Sequence, residues 1–271
     1  MNPHTKIWNV MKQITTTYYY IDTFERQSKD VFVEDKDELT KVGKEMFDNF
    51  GIKKDINFFV DVCAAPGMYS KLIFDNNHKV TGIGISLPPE KGGVEFNFIH
   101  DNYKQFYKDI LEKQYRLEIP RKLDFGMGSC VSYIDDKKNS HILNIELIIK
   151  SIDIIMNNLN KGGNMIINMS MKNIYVCYNI IYLLQKYFGN IKLWKSSTVW
   201  GTKNTFYIFC YDFNSSYNND IIKYIEDIKN KDSKFNTTII GPKESFDRIT
   251  QLLNPIYIVR INCWLNKLIS N

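Results

Sequence analysis

One segment constrains this chain more than any other. Asn57-Phe58-Phe59-Val60-Asp61-Val62-Cys63 is a short, nearly continuous apolar run, and it stops at Ala64-Ala65-Pro66-Gly67. A run without polar alternation is a strand covered on both faces, as in a parallel sheet. Pro and Gly close it in a tight turn, and apolar residues resume helical spacing over Met68–Phe74. A strand feeding a helix through a tight turn is the opening of a βαβ unit.

The same alternation runs on. Val42, Met46, Phe47 and Phe50 mark a helix ahead of the first strand, with Gly51 as its C-cap. His78–Ile85 reads as a second strand and Leu123–Met127 as a weak one. Ile142–Leu159 reads as an amphipathic helix ending in Asn160-Lys161-Gly162-Gly163. A strand over Asn164–Met169, a helix over Ile174–Phe188 and strands over Ile191–Lys195 and Thr205–Tyr211 complete the pattern. The expectation is an α/β fold, a mostly parallel sheet flanked by helices. Residues 1–38 read as an N-terminal extension, 39–212 as the α/β domain and 213–271 as a C-terminal helical extension. That last part holds a charged helix near Asp220–Asn230 and an aromatic-apolar helix through Tyr257, Ile258, Ile261 and Trp264.

Composition removes other classes. With 44% hydrophobic and 14% aromatic residues the chain is neither disordered nor fibrous. No apolar run reaches the ~18 residues of a membrane helix, so no membrane contact is expected. The start, Met1-Asn2-Pro3-His4-Thr5-Lys6, lacks the features of a secretory signal. Cys63, Cys130, Cys177, Cys210 and Cys263 are scattered without CxxC spacing. They suggest neither zinc nor a disulfide scaffold, and a reducing, cytoplasmic setting. The four histidines form no cluster, and no metal is expected.

Net charge is +5, and its distribution says more than its size. From Ile154 to Tyr211 there is no Asp or Glu, but there are Lys161, Lys172, Lys186, Lys192, Lys195 and Lys203. Either these form one basic face for a polyanion, or acids from elsewhere in the chain balance them.

In an open parallel sheet, ligands bind at the carboxyl ends of the strands near the point where strand order reverses. Ala64, Ala65 and Gly67 would let a ligand lie against backbone there, and Gly67 opens a helix with free N–H donors. Pro66 removes one donor and the pattern is not GxGxxG, so a pyrophosphate cradle is not expected. A neutral or zwitterionic ligand carrying a ribose fits better. Cys63 reads as a small buried hydrophobe.

Asp61–Ser70, DVCAAPGMYS, resembles the S-adenosylmethionine (SAM) loop of FtsJ-like RNA 2′-O-methyltransferases, with Met68 in place of the second glycine and Tyr69 keeping the aromatic. Gly82–Leu87 resembles the second strand of the cap-methylating branch, and Lys161-Gly162-Gly163 the turn before a later strand. The resemblance spans about Lys41–Tyr211. It implies a Rossmann-like methyltransferase fold, SAM as cofactor and RNA, including capped mRNA, as partner. It implies cofactor contacts from Asp61, Cys63, Ala64, Ala65, Pro66, Gly67 and Met68, with Ser86 near the ribose and Asp101 reading the adenine amino group.

The family activates the ribose hydroxyl with a Lys-Asp-Lys-Glu tetrad. The matching positions here are Lys44 (or Lys41), Ser129 (or Gly128), Asn168 and Thr205. Asp124 and Asp135 are the nearest acids to the second position, and Lys172 lies four residues beyond the third. An amide and two hydroxyls replace three of the four groups, so the family's own 2′-O transfer is not expected at its usual rate. The second reading is a non-catalytic methyltransferase-like subunit that stimulates a catalytic partner, as in poxvirus capping enzymes. It predicts an exposed apolar patch near Tyr257 and Trp264. Tyr18-Tyr19-Tyr20 is a candidate for RNA base stacking, against core or interface packing. The Asn-, Lys- and Ile-rich composition fits an AT-rich genome, viral or parasitic.

Overall fold

The computed structural model describes residues 36–52, 56–112, 115–119, 121–130, 140–171, 174–214, 216–230 and 240–270. Tyr18-Tyr19-Tyr20, Asp135 and Lys172 lie outside them. The described elements are α1 (Lys36–Phe50), β1 (Phe58–Val62), α2 (Met68–Asn76), β2 (Thr81–Ser86), β3 (Tyr103–Tyr107), β4 (Leu123–Gly128), α3 (Ser140–Asn158), β5 (Leu159–Ser170), α4 (Ile174–Leu184), β6 (Phe188–Trp194), β7 (Thr205–Phe213), α5 (Asp220–Asn230) and α6 (Lys243–Ser270).

Seven strands form one sheet in the order β3-β2-β1-β4-β5-β7-β6. Pairs among β1 to β5 are parallel, and β7 runs antiparallel to both β5 and β6. Strand order reverses between β1 and β4, so the carboxyl ends of those two strands form the crevice expected to take a ligand. This is the mostly parallel, helix-flanked sheet that the alternation pointed to, and the Rossmann-like architecture that the resemblance implied.

β1 shows why the sheet is covered on both sides. Phe58, Val60 and Val62 enter one buried cluster, built with α3, α4 and α6. Phe59 enters the other, built with α1 and α2. All five β1 residues are buried, Asp61 among them.

Three features depart from the sequence reading. β3 was not anticipated. It is an edge strand whose Lys104, Phe106, Tyr107 and Lys108 face solvent, so it carries no apolar run. The C-terminal helix is not an exposed face around its aromatics. Ile249, Leu253, Ile256 and Tyr257 lie in the same cluster as β5 and α4, and Trp264 is buried. Tyr257 and Trp264 therefore do not themselves form the expected partner patch, because they are spent on the chain's own core, while Ile258, Leu265 and Ile269 of the same helix stay exposed. Third, Cys63 and Cys130 are joined by a disulfide, with Cα atoms 5.0 Å apart. Cys63 is thus neither a lone hydrophobe nor a free thiol, and the no-disulfide expectation is corrected. The two lie 67 residues apart, and only the β1–β4 neighbourhood brings them together.

The acid-free lysine stretch is balanced only in part, since Lys161 and Lys192 stay exposed. Lys186 pairs with Asp220 at 3.3 Å and Lys203 approaches Glu38 at 3.9 Å, while Lys195 is buried. Acids from α1 and α5 supply the balance. Among the described residues, no helix is long and apolar enough to cross a membrane. None of their His, Cys, Asp and Glu side chains converge in a group of three or more that could hold a metal ion.

Candidate functional site

The crevice is framed by four strand ends held in register. Ala64 N donates to Ile85 O at 2.9 Å, tying the turn after β1 to β2. Ser129 N donates to Val62 O at 3.1 Å, and Lys108 N to Ser86 O at 2.7 Å. Cys63, Ala64, Ser86, Ser129 and the residue after Lys108 therefore lie along one rim. Cys63 has φ +64° and Gly67 φ +100°. The second value is natural for glycine and opens α2, whereas at Cys63 a β-carbon is held in a region that disfavours one.

Asp61 lies under this turn, 1% exposed. Its Oδ2 accepts from Ser70 Oγ at 2.7 Å, and Ser70 Oγ in turn meets Tyr103 Oη at 2.8 Å. Its Oδ1 is buried without a hydrogen-bond partner. Burial pushes the carboxyl up to about 7, opposed only in part by the Ser70 hydrogen bond. A buried carboxylate with one orphaned oxygen, beside a turn of small residues, suits a ligand that brings a cation or a donor. An amino acid's ammonium is such a group, so these residues fit the methionine end of SAM. The segment after β2 closes over the other side of the turn: Asn97 N donates to Pro66 O at 2.9 Å, and Phe98 packs against Gly67.

Ser86 sits at the carboxyl end of β2 and is buried, as a ribose contact requires. Asp101 does not sit there. It is exposed and precedes β3, and Tyr103 pairs with Gly82 at the start of β2. Four residue steps separate Gly82 from Ser86, roughly 13 Å at ~3.3 Å per residue. Asp101 is thus at the wrong end of the sheet for the crevice, and its expected role is corrected. The acid at the carboxyl end of β3 is Asp109, two residues past Tyr107, which pairs with Ser86. Asp109 is half-buried, and its Oδ1 accepts from Leu111 N at 3.0 Å. The sequence held the signal in Tyr107-Lys108-Asp109-Ile110, but without β3 there was no register to place it.

The tetrad positions converge in part. Asn168 faces Tyr207 across the β5–β7 ladder, and Thr205 faces Ser170 two rungs on, so Asn168 and Thr205 share a face. Asn168 is buried, and Thr205 Oγ1 is buried without a partner. Ser129 is at the end of β4, half-buried. Tyr69 Oη meets Tyr207 Oη at 2.7 Å beneath Asn168's face. Lys44 is exposed and lines a cavity of about 460 Å³ between α1 and α2 with Asp37, Met68, Lys71, Asp75 and Phe98. Ser129, Asn168 and Thr205 do not line it. Asp124 is excluded as a substitute acid: its Oδ2 accepts from Asn57 N and Phe58 N, at 3.1 and 3.0 Å, at the amino end of β1.

Sequence reasoning missed how α1 joins this region. Glu45 accepts from Ser196 Oγ at 2.9 Å and from Thr198 Oγ1, and Glu38 accepts from Trp200 Nε1 at 3.1 Å. The loop between β6 and β7 is thereby bound to α1, and it carries Lys195, the least exposed lysine of the region.

The sheet order and the small-residue turn at its switch point define a methyltransferase-type α/β protein. A family profile described as FtsJ-like methyltransferase matches residues 44–213. The chain belongs to that family. No curated protein matches the chain's sequence. Among solved structures, a ribosomal RNA methyltransferase from Plasmodium falciparum is similar, at 18% identity, over 64% of this chain and 96% of that one, with a TM-score of 0.50. The N-methyltransferase NodS from Bradyrhizobium japonicum WM9, in complex with S-adenosyl-L-homocysteine, is looser: 10% identity, 77% and 99% coverage, TM-score 0.46. At these identities the likeness is one of fold.

Proposed function

We propose that this chain is a SAM-binding protein of RNA methylation or mRNA capping, with weak 2′-O transfer of its own. The observation that carries the cofactor half is Asp61, buried beneath the turn after β1 with Oδ1 orphaned. When bound, SAM supplies an electrophilic methyl group on a sulfonium.

The chain's residues divide the binding work. Asp61 Oδ1 accepts from the ligand's ammonium. Ser86 donates to a ribose hydroxyl, and Asp109 accepts from the adenine amino group. Ala64 and Ala65 leave room for the ligand against backbone. Cys63 contributes shape only, since its sulfur is committed to Cys130.

The acceptor side is poorly armed. Transfer to a ribose 2′-OH releases a proton, and the group that takes it must be basic. Asn168 and Ser129 orient a hydroxyl without accepting its proton, and Thr205 is no better. Lys44 stands exposed on α1. General-base catalysis contributes ~10²–10⁴-fold, so its loss leaves transfer slow. That deficit favours a second role, in which the chain binds a catalytic partner of RNA modification and supports it.

Isothermal calorimetry tests the cofactor half. The wild-type chain is expected to bind SAM, Asp109→Ala to weaken it about tenfold or more, and Asp101→Ala to leave it within about twofold; removing one hydrogen bond to a charged group costs that much. No heat with SAM or S-adenosylhomocysteine overturns the assignment. The reverse order of the two variants overturns the placement of adenine.

A further inference from the structure

Lys195 is 4% exposed, yet it carries a full ammonium group's worth of partners. Nζ donates to Trp200 O at 2.9 Å, to Lys203 O at 2.8 Å and to Thr205 O at 2.8 Å. All three protons go to the backbone of one loop, residues 196–204, and to the first residue of β7. Among the described residues no carboxylate pairs with it. A buried cation satisfied only by carbonyls is costly to keep, so what it holds matters.

The loop lies on the ligand side of the sheet. Met171 N, just past the end of β5, donates to Asn204 O at 2.7 Å. Thr205, which follows, is a tetrad position. The exposed side chains of the loop are Ser197, Thr198 and Lys203; Thr198 Oγ1 donates to Glu45 and Lys203 lies 3.9 Å from Glu38, so the Ser197 hydroxyl and the outer N–H groups of Lys203 are what the loop offers a sugar-phosphate strand. The C-terminal helix grips the loop from behind: Arg260 Nε donates to Thr202 O at 3.2 Å, and Cys263 Sγ to Ser197 O at 3.3 Å. α1 grips it from the front through Glu38 and Glu45. Lys195 adds three contacts from inside the loop.

We propose that Lys195 is a positioning residue for the acceptor: its ammonium holds loop 196–204 as the wall that receives the RNA strand, and couples that wall to α6. This rests on the reading of RNA as the acceptor. The donor site is separate: among the described residues no hydrogen bond or ion pair joins Asp61, Ser86 or Asp109 to this loop.

The titratable groups facing Lys195 are the Arg260 guanidinium and the neutral Cys263 thiol of α6 and Lys203 of the loop, with Glu38 and Glu45 on the loop's far side. Burial, then Arg260, holds its ammonium down at about 7. Above that value a neutral amine has two N–H donors for three carbonyls, and its lone pair faces the third. That lost contact is outweighed by the relief of a buried charge: opening the loop returns the amine to water and to its ordinary 10.5, so the depressed value means that the closed loop favours the neutral amine, and the wall tightens as pH rises above 7.

The test uses the full chain as wild type, Lys195→Met and Lys195→Arg. Binding of a fluorescein-labelled single-stranded RNA is followed by anisotropy at pH 6, 7 and 8, with SAM affinity and amide exchange measured alongside. For Lys195→Met at pH 6, RNA binding is expected to weaken about tenfold, the scale of one charge-assisted hydrogen bond. SAM affinity stays within about twofold, and exchange quickens in 196–204 but not in β1 or β4. Wild-type RNA affinity rises between pH 6 and 8, as the buried charge is relieved, and Lys195→Arg, charged throughout, stays level. RNA affinity unchanged in Lys195→Met, or a loop whose exchange does not change, overturns the proposal. If Lys195→Met loses protection across the sheet, the wild-type pH profile decides, and a level profile overturns it. If the wild type binds SAM but no RNA at any pH, the acceptor reading itself fails, and quickened loop exchange then marks Lys195 as a residue of the fold alone.

Discussion

Replacing Asp61 by Asn gives the sharpest account of what the turn after β1 stores. The folded state raises this carboxyl from its ordinary 3.8 to about 7. The folded chain thus keeps a proton that the unfolded chain has already released. Between those values the unfolded state binds fewer protons, so stability falls as pH rises from about 4 and levels off above about 7. Each unit is worth about 1.4 kcal/mol, which puts the full penalty for the ionised form at roughly 4 kcal/mol. The part that develops between pH 5 and pH 8 is roughly 2–3 kcal/mol. Asn keeps the shape and can still accept from Ser70, but carries no charge at any pH. Lys195, held down at about 7, adds stability as pH rises above that value, with the opposite sign, so the useful quantity is the difference between the two proteins. Urea unfolding without ligand, at pH 5, 6, 7 and 8, measures it. Asp61→Asn is expected to gain roughly 2–3 kcal/mol on the wild type across that range while losing SAM affinity. A difference that does not change with pH refutes the reasoning, because a carboxyl so buried and half-partnered must then be relieved by something other than protonation.

Other outcomes follow from single contacts. Alkylation of the unreduced, denatured chain should label three of five cysteines, Cys177, Cys210 and Cys263, and labelling of all five rules out the Cys63–Cys130 bridge. Gly84→Ala places a methyl group on Tyr103 Oη and against Phe96, and should lower stability by about 1–3 kcal/mol in thermal unfolding. Asp124→Ala strips the acceptor from Asn57 N and Phe58 N and should cost about 1–3 kcal/mol, with SAM affinity unchanged in calorimetry.

Most of the sheet was legible because its inner strands are buried on both faces and read as apolar runs. β1 is the clearest case, with Phe58 to Val62 feeding both clusters. β3 shows where that signal stops. At the sheet edge only Tyr103 is buried, so Lys104-Gln105-Phe106-Tyr107 has no pattern that marks a strand. Losing β3 put Asp101 at the wrong end of the strand, since Asp101 and Asp109 flank it and only register tells its ends apart. The Cys63–Cys130 bridge and the burial of Lys195 were invisible for another reason. Both depend on neighbours far along the chain, a strand 67 residues away for one and a loop gripped by α1 and α6 for the other. A cysteine or a lysine carries no local mark of such a partner. The aromatic residues of α6 misled in the opposite direction, because Tyr257 and Trp264 suit a core as well as an interface.

A crystal structure of the chain grown with S-adenosylhomocysteine addresses the donor site most directly. The ligand is predicted to lie across the ends of β1, β2 and β4, with its ammonium on Asp61 Oδ1 and its adenine edge at Asp109. Density instead in the cavity beside Lys44 and Met68, or side chains filling the strand ends with no ligand bound, would contradict the account.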